Sequence, residues 1–206
     1  TIDRIIFEKT SSLLNSKIIV SNQNDKEILE KIKKSINVNR SKKIIFNDLY
    51  SYTLGENNFF YYEDQYGGLK LPLPNLNGEF QLSNVATAIA TLRNISELNI
   101  SDKHIQTGIT KIKTIARLQE IKNGKIKIII KNNKLILDGT HNSLGAKALT
   151  EYLDKIDCKK HLIIGMMSNK DHKNYINYFK NKVSSITTID IPGQVNSIKG
   201  KDLKKK

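Results

Sequence analysis

The sequence predicts an α/β protein with two domains, and three observations lead to this prediction. Strands and helices alternate from the strand at residue 134 onward, as they do in a layer of parallel-type strands covered by helices. Residues 134–149, KLILDGTHNSLGAKAL, predict a strand, a tight turn and a helix in succession. The pattern breaks near residues 114–117. We therefore expect one domain over residues 1–113 and another over residues 114–206.

The first domain opens with alternating helices and strands and continues into antiparallel strands. Thr1, Asp25 and Ser101 are each placed to cap a helix that has apolar residues at helical spacing. Turns are predicted at residues 55–58 and 66–68, where glycine and asparagine cluster. The predicted elements are a helix over 1–14, a strand over 17–21, a helix over 25–36, a strand over 43–47, antiparallel strands over 50–73, and helices over 80–93 and 103–113.

In the second domain, the dipeptides Asn123-Gly124 and Asn132-Asn133 are strong hairpin signals. They predict strands over residues 118–122 and 125–130, ahead of the strand that opens the central stretch. Further on, we predict a helix over 143–154, a strand over 161–167, a helix over 171–182 with Tyr175, Tyr178 and Phe179 inward, and a strand over 185–191. Residues 200–206 predict no clear final element.

The central stretch combines a buried strand with a polar turn. The continuous apolar run of residues 135–137 predicts a strand buried on both faces. Asp138 stands at its C-terminal end, Gly139 permits a sharp turn, and a helical pattern starts at Ser143.

Asp138 and His141 are candidate ligand-binding residues, because ligands of open α/β sheets bind beyond the carboxyl ends of the strands. The alternative is an Asx-turn in which Asn142 caps the following helix. That alternative explains Asn142 well and His141 poorly. Spacing alone leaves the two interpretations open.

Composition narrows the class of protein. The chain has 206 residues, a formal net charge of +14 and a pI of about 9.7. Lysines occur throughout the chain beside many Ile and Asn residues, so we attribute the charge to codon bias and not to a nucleic-acid footprint.

Cys158 is the only cysteine, which excludes an internal disulfide and favours a reducing compartment. No run predicts a transmembrane helix or a signal peptide. We expect a cytoplasmic monomer that binds neither nucleic acid nor a membrane.

The two ends of the sequence predict a piece of a longer protein. The chain lacks a starting Met and opens directly on a helix start at Thr1. No G-x-x-x-x-G-K-[ST] phosphate-binding loop occurs in it. No motif for nucleophilic catalysis and no zinc-type cluster occurs either.

The remaining candidates each have a structural alternative. Arg117, at the predicted domain boundary, is alternatively a solvated linker cation. Asn84, on an alanine-rich helix, is alternatively a helix cap. Residues 169–171 lie at the end of the next strand, and Asp171 is best explained as a helix cap.

Motifs along nearly the whole chain, in the same order, resemble those of folylpolyglutamate synthase/dihydrofolate synthase of the Mur ligase superfamily. LDGTHN at 137–142 and IIGMMSNKD at 163–171 resemble its L-D-G-A-H-N-P and G-x-x-x-D-K-D patterns. Upstream, FQLSNVATAIATL resembles H-Q-x-x-N-A-A-T-A-x-A-A-L, IARLQ resembles P-G-R-x-Q, and IDRIIFEKTSSLL resembles I-x-x-E-K-A-G-I-I. The resemblance implies the end of a P-loop-type central ATPase domain followed by a Rossmann-like C-terminal Mur-ligase domain, with the phosphate-binding loop upstream of this chain.

The resemblance also implies the roles of particular residues. Lys9 matches a lysine that is carbamylated and helps to hold Mg²⁺. Asn84, Arg117 and Asp138 match residues that contact ATP, and His141 matches a histidine tied to glutamate binding or catalysis. The implied reaction is the ATP-dependent addition of L-glutamate to dihydropteroate or to folate polyglutamates through an acyl phosphate. By itself the chain is expected to be inactive.

Several positions depart from the family pattern. Phe80 replaces a His, Ser143 replaces a Pro, and Asn169 replaces the first Asp of D-K-D. Ile115-Ala116 replaces Pro-Gly, from which we expect a less sharply bent joint. Two other functions remain open, namely a cell-wall Mur ligase acting on a nucleotide-linked peptide, and a basic nucleic-acid-binding module with a steep salt dependence.

Overall fold

The computed structural model describes residues 1–13, 15–36, 43–45, 48–56 and 59–205. The chain divides into two compact units. The first consists of Thr1–Asn75 and Phe80–Lys113, and the second of Leu76–Glu79 and Thr114–Lys206. A short segment within the first unit's sequence, Leu76–Glu79, therefore belongs to the second unit.

Helices and strands alternate along most of the chain. The helices are α1 (Ile2–Ser11), α2 (Lys26–Ile36), α3 (Phe80–Arg93), α4 (Asp102–Thr110), α5 (Lys125–Ile130), α6 (Ser143–Asp154), α7 (His172–Asn177) and α8 (Gly200–Leu203). The strands are β1 (Ile18–Val20), β2 (Lys43–Ile45), β3 (Tyr50–Leu54), β4 (Phe59–Asp64), β5 (Gly67–Pro72), β6 (Gln119–Glu120), β7 (Ile136–Leu137), β8 (His161–Ile164) and β9 (Ser185–Thr188).

The predicted caps of the first unit are confirmed. The Thr1 hydroxyl accepts a hydrogen bond from Arg4 N, and Asp25 Oδ1 accepts one from Ile28 N at 3.0 Å. Ser101 and His104 form a capping box at the start of α4. Each cap satisfies backbone N–H groups that the first turn of a helix leaves without a partner.

The first unit contains a parallel pair, β1 and β2, and an antiparallel meander of β3, β4 and β5. The turn between β4 and β5 lies at residues 65–66 and not at 66–68 as predicted, because Asp64 Oδ1 accepts a hydrogen bond from Tyr66 N. Parts of three other predictions, at Leu14, at residues 46–47 and at residues 57–58, lie outside the described residues.

The alanine-rich helix α3 covers the core of the first unit, with the bounds that the sequence predicts. Ala86 and Ala90 are fully buried, which allows close packing of its backbone. In the meander, Phe60 and Leu71 are also fully buried. Burial of such side chains stabilises the unit by about 1.5–3 kcal/mol each.

The second unit contains two separate strand pairs in the part of the chain that is described. β6 and β7 are antiparallel, whereas β8 and β9 are parallel. The predicted parallel-type layer is therefore confirmed only for β8 and β9. The chain ends in α8, an element that the sequence does not predict; Leu203 is almost fully buried, and the Thr188 hydroxyl donates to Gly200 O at 2.8 Å.

Three local predictions in the second unit are wrong. Residues 125–130 form helix α5 and not a strand, because β6 and β7 pair directly and leave this segment no strand partner. Leu137 is 46% exposed and not buried on both faces, because β7 pairs only within a two-stranded sheet. Tyr178 is 38% exposed and not inward, whereas Tyr175 and Phe179 are buried as predicted. Since α7 ends at Asn177, helical spacing no longer fixes the face on which Tyr178 lies.

Candidate functional site

Asp138 connects two loops of the second unit. It directly follows β7, and its half-buried carboxylate accepts two backbone hydrogen bonds. Oδ2 accepts from Leu118 N at 2.8 Å and Oδ1 accepts from Thr140 N at 2.8 Å. Hydrogen bonds to an ionised acceptor are among the stronger ones in proteins, so this side chain fixes both loops relative to each other.

The loop of residues 116–119, hereafter the Arg117 loop, is fixed by further bonds. Ala116 N donates to Gln119 Oε1 at 3.0 Å, and Ala116 O accepts from Gly139 N at 2.9 Å. Leu118 O accepts from Asn77 Nδ2 at 2.8 Å. With the bond from Leu118 N to Asp138, the N–H and C=O groups on both sides of Arg117 are all paired.

The backbone of the Arg117 loop takes a conformation that non-glycine residues rarely adopt. Ala116 has φ +53° and Leu118 has φ +47°. Each left-handed residue costs about 1–2 kcal/mol. Ala116 thus adopts a backbone conformation that glycine favours, at the position where the family pattern has glycine. The less sharply bent joint stays a prediction. Such strain persists only where surrounding contacts determine it, and it is concentrated at functional sites.

Arg117 itself is exposed. No carboxylate among the described residues lies within 4.0 Å of its guanidinium, whereas the next side chain, that of Leu118, is 1% exposed. The alternative of a solvated linker cation explains the exposure and leaves the fixed backbone unexplained. The arrangement presents a cation that is available to an anionic ligand.

In the turn after Asp138, Asn142 caps a helix and His141 is exposed. Asn142 Oδ1 accepts a hydrogen bond from Gly145 N at 2.8 Å and caps α6, so the capping interpretation is correct for Asn142. His141 is exposed, with Nδ1 3.0 Å from Gly139 O. A proton on Nδ1 would be held by that carbonyl, which leaves Nε2 able to contact a ligand.

A buried tyrosine supports the same turn. The hydroxyls of Thr140 and Tyr175 are 2.9 Å apart, and Tyr175 is 4% exposed. Burial raises the pKa of Tyr175, and the negative charge of Asp138 adds to the effect, although the bond to Thr140 opposes it. The sequence predicts the inward position of Tyr175 from helical spacing, but not its bond to Thr140.

The turn at residues 169–171 is held by capping and by a buried histidine. Asp171 Oδ1 accepts a hydrogen bond from Asn174 N at 3.2 Å, which confirms the capping interpretation. His172 is 9% exposed, and its Nε2 lies 2.9 Å from Met167 O. Nothing in the sequence marks His172 as a candidate, because a single histidine outside any motif predicts no role.

In the first unit, Lys9 lies in the last turn of α1. Its side chain is 75% exposed, and its Nζ lies 3.7 Å from Glu8 Oε1. No group of three His, Cys, Asp or Glu residues that could hold a metal ion exists among the described residues. An ammonium group is not a metal ligand, so the residues present do not by themselves form a Mg²⁺ site.

Asn84 is the fifth residue of α3 and is exposed. Its Nδ2 donates to Oε1 of the buried Gln81 at 3.0 Å. The interpretation as a helix cap is therefore wrong, because a cap precedes the first turn. No hydrogen bond or ion pair joins Asn84 to Lys9 among the described residues, whereas the second unit brings together the Arg117 loop, Asp138 and the turn of His141.

None of the described helices is long and apolar enough to cross a membrane.

The fold is similar to that of solved folylpolyglutamate synthases. The Escherichia coli FolC structure in complex with DHPP and ADP matches with a TM-score of 0.80 and 22% identity, over 98% of this chain and 46% of that chain. Mycobacterium tuberculosis folylpolyglutamate synthase complexed with ADP and AMPPCP matches with a TM-score of 0.80 and 15% identity, over the same shares. A bifunctional folylpolyglutamate synthase/dihydrofolate synthase with Mn, AMPPNP and L-glutamate bound matches with a TM-score of 0.76 and 22% identity, again over 98% and 46%.

No protein-family model and no curated protein sequence matches the chain. The chain spans a little less than half the length of the solved structures that it matches. At these identities the likeness establishes the fold. The predicted α/β fold class and the structural resemblance to these synthases are confirmed.

Proposed function

We propose that the chain is part of an ATP-dependent ligase that adds L-glutamate to dihydropteroate, to (tetrahydro)folate polyglutamates, or to both. The observation that carries this proposal is the fold likeness over 98% of the chain to synthases solved with ADP and DHPP or with L-glutamate. A fold alone does not determine a function. Arg117 adds support, because its flanking backbone is held by hydrogen bonds and its guanidinium has no ion pair among the described residues. A ligase that uses ATP needs such cations for the phosphates.

The proposed reaction has two steps. First, an oxygen of the substrate carboxylate attacks the γ-phosphorus of ATP, which forms an acyl phosphate and releases ADP. Then the amine of L-glutamate attacks the acyl carbon, the amide bond forms, and phosphate leaves with its electron pair while the amine loses a proton. Phosphoryl transfer asks the protein mainly to position the reactants and to stabilise charge.

Each candidate of the second unit has a task that suits its chemistry. Arg117 would neutralise phosphate charge, and its planar fork can bind two phosphate oxygens at once. Asp138 would contact ATP, and it would also act on ATP binding through the two loops that it fixes. His141 would contact L-glutamate through Nε2, either as a hydrogen-bond partner of a carboxylate or as a proton acceptor for the amine.

In the first unit, we propose that Asn84 contacts ATP and that Mg²⁺ accompanies the nucleotide. Carbamylation of Lys9 would replace its cation by an oxygen anion, which is the kind of ligand that Mg²⁺ prefers. Lys9 is accessible to that modification, since its side chain is 75% exposed. These assignments follow from the family resemblance of the sequence.

The remaining parts of the proposal concern the state of the protein in the cell. We propose a cytoplasmic monomer, and the exposed thiol of Cys158 is consistent with a reducing compartment. We also propose that nucleic acid and membranes are not partners.

Phosphate release by the intact enzyme tests the proposal. Release should require ATP together with L-glutamate and either dihydropteroate or a folate, and the product should carry one more glutamate by mass. The 206-residue chain alone, which has no G-x-x-x-x-G-K-[ST] motif, should release none. Activity only with a nucleotide-linked peptide would show a cell-wall Mur ligase instead. Salt-sensitive DNA binding without ligase activity would show a nucleic-acid-binding module.

A further inference from the structure

Two side chains that the proposed function leaves without a role contact the backbone on either side of Arg117. Asn77 Nδ2 donates to Leu118 O at 2.8 Å, and Gln119 Oε1 accepts from Ala116 N at 3.0 Å. Asn77 belongs to the short segment Leu76–Glu79, which is part of the second unit although its neighbours in sequence are not.

The backbone of the Arg117 loop needs such contacts to keep its shape. Ala116 and Leu118 both have positive φ values, a conformation that their Cβ atoms disfavour. Without partners for the flanking N–H and C=O groups, this segment would relax to commoner backbone conformations. The guanidinium of Arg117 would then be spread over many positions, because the side chain is exposed and has no ion pair of its own among the described residues.

We propose that Asn77 and Gln119 are positioning residues for Arg117, which keep its guanidinium where the phosphates of a nucleotide bind. This inference rests on the proposed function, because it takes Arg117 as the phosphate-binding cation. Neither side chain needs to touch the nucleotide. Asn77 is exposed, yet its amide is directed to a backbone carbonyl, as a positioning role requires.

A double-mutant cycle in the intact enzyme separates positioning from general stability. Asn77→Ala should lower kcat/KM for ATP by about tenfold, because a small displacement of a group that binds the transition state is costly. In an Arg117→Ala background the same change should have little further effect, since no guanidinium remains to be positioned. Asn77→Asp keeps the size of the side chain but cannot donate, so it should match Asn77→Ala.

Asn75 offers a matched control two residues away. Its Nδ2 donates to Ile112 O at 3.1 Å within the first unit, so Asn75→Ala removes a similar bond without touching the Arg117 loop. Asn75→Ala should leave kcat/KM for ATP unchanged.

Two substitutions of Gln119 test whether its acceptor oxygen is needed to position Arg117. Gln119→Glu keeps an oxygen that accepts from Ala116 N and should retain activity, whereas Gln119→Met keeps the length of the side chain without an acceptor and should lose about as much as Asn77→Ala. An effect on Tm without an effect on kcat/KM would overturn the positioning role.

The outcomes distinguish this inference from the proposed function. Normal ligation of glutamate and a defect in Arg117→Ala, together with unchanged kinetics in Asn77→Ala and Gln119→Met, would overturn the inference alone. Defects of Asn77→Ala and Arg117→Ala that simply multiply would also overturn it. An intact enzyme without glutamate ligation would overturn the proposed function and the inference with it.

Discussion

The carboxylate of Asp138 accepts a hydrogen bond from Leu118 N across 20 positions of the sequence, at 2.8 Å. Its other oxygen accepts from Thr140 N, also at 2.8 Å. One half-buried side chain therefore fixes both the loop that carries Arg117 and the turn that carries His141. This relationship predicts that Asp138 contributes to the stability of the second unit.

Asp138→Ala should lower the free energy of unfolding of the second unit by about 2–3 kcal/mol, because two backbone N–H groups lose a charged acceptor. Asp138→Asn keeps one acceptor oxygen and should lose roughly half of that. Urea unfolding followed by circular dichroism measures both. His141→Ala is the matched control on the same turn and should lose less stability than Asp138→Ala. An equally large loss of unfolding free energy in His141→Ala would contradict the special role of the Asp138 carboxylate.

Arg117→Ala in the intact enzyme should raise the ATP requirement and slow turnover, with a loss of about 2 kcal/mol in transition-state stabilisation. The exposed side chain of Arg117 forms no ion pair with any of the described residues, so the melting temperature of Arg117→Ala should equal that of the original enzyme. Steady-state kinetics over a range of ATP concentrations is the measurement. Arg117→Lys keeps the charge without the planar fork, so its kcat/KM for ATP should lie between that of the original enzyme and that of Arg117→Ala. Unchanged kinetics in Arg117→Ala would exclude the role.

The bond between Thr140 and Tyr175 should contribute about 1 kcal/mol to the stability of the second unit. Tyr175→Phe removes the buried hydroxyl and keeps the ring, whose centroid lies 5.3 Å from that of the Phe179 ring. In a double-mutant cycle, Thr140→Ala and Tyr175→Phe should be coupled by a similar amount. Additive losses in urea unfolding would mean that the two hydroxyls do not interact in solution.

Asn142→Ala should destabilise α6 by about 1 kcal/mol, because Gly145 N loses its acceptor. Asn142→Asp preserves an acceptor at the same position and adds a negative charge at a helix N-terminus, so it should be neutral or slightly stabilising. Amide hydrogen exchange over the first turn of α6 reports the local effect. Equal protection in Asn142→Ala and in the original chain would rule out the cap.

Tyr62 should make the stability of the first unit depend on alkaline pH. Burial raises the pKa of Tyr62 above its ordinary value of 10.0, and the bond that its hydroxyl donates to Asp64 Oδ2 at 2.9 Å adds to the effect. Since the folded state keeps the proton more tightly, the stabilisation is fully present below about pH 10 and is lost as the pH rises further.

Urea unfolding between pH 8 and pH 11 measures this dependence. Tyr62→Phe should reduce the decline in stability above about pH 10, because the unfolded chain can no longer lose that proton. Tyr61→Phe, on the exposed face of the same strand, controls for the removal of a phenol hydroxyl. A decline of the same steepness in Tyr62→Phe and in the original chain would contradict the assignment.

Local sequence determines those features of the chain that depend on neighbours along it. Asp171 and Ser101 cap the helices that follow them, as predicted, because a cap needs only backbone N–H groups three residues away. Asn142 also caps its helix, which is one of the two interpretations that the sequence left open. The bounds of α3 follow in the same way from its run of helix-forming residues. The candidate site residues likewise lie in short motifs of neighbouring residues, so they could be named from the sequence alone.

Only the tertiary structure decided how distant segments combine. The pairing of β6 with β7 leaves residues 125–130 without a strand partner, so a segment with strand-like alternation forms a helix. Leu118 O accepts from Asn77, 41 positions away in the sequence, and Leu118 N donates to Asp138, 20 positions away. No local pattern encodes such partners, because they depend on which backbone groups the folded chain brings together. The sequence by itself therefore identified Arg117 as a candidate, and the tertiary structure decided which side chains form hydrogen bonds with the backbone on either side of it.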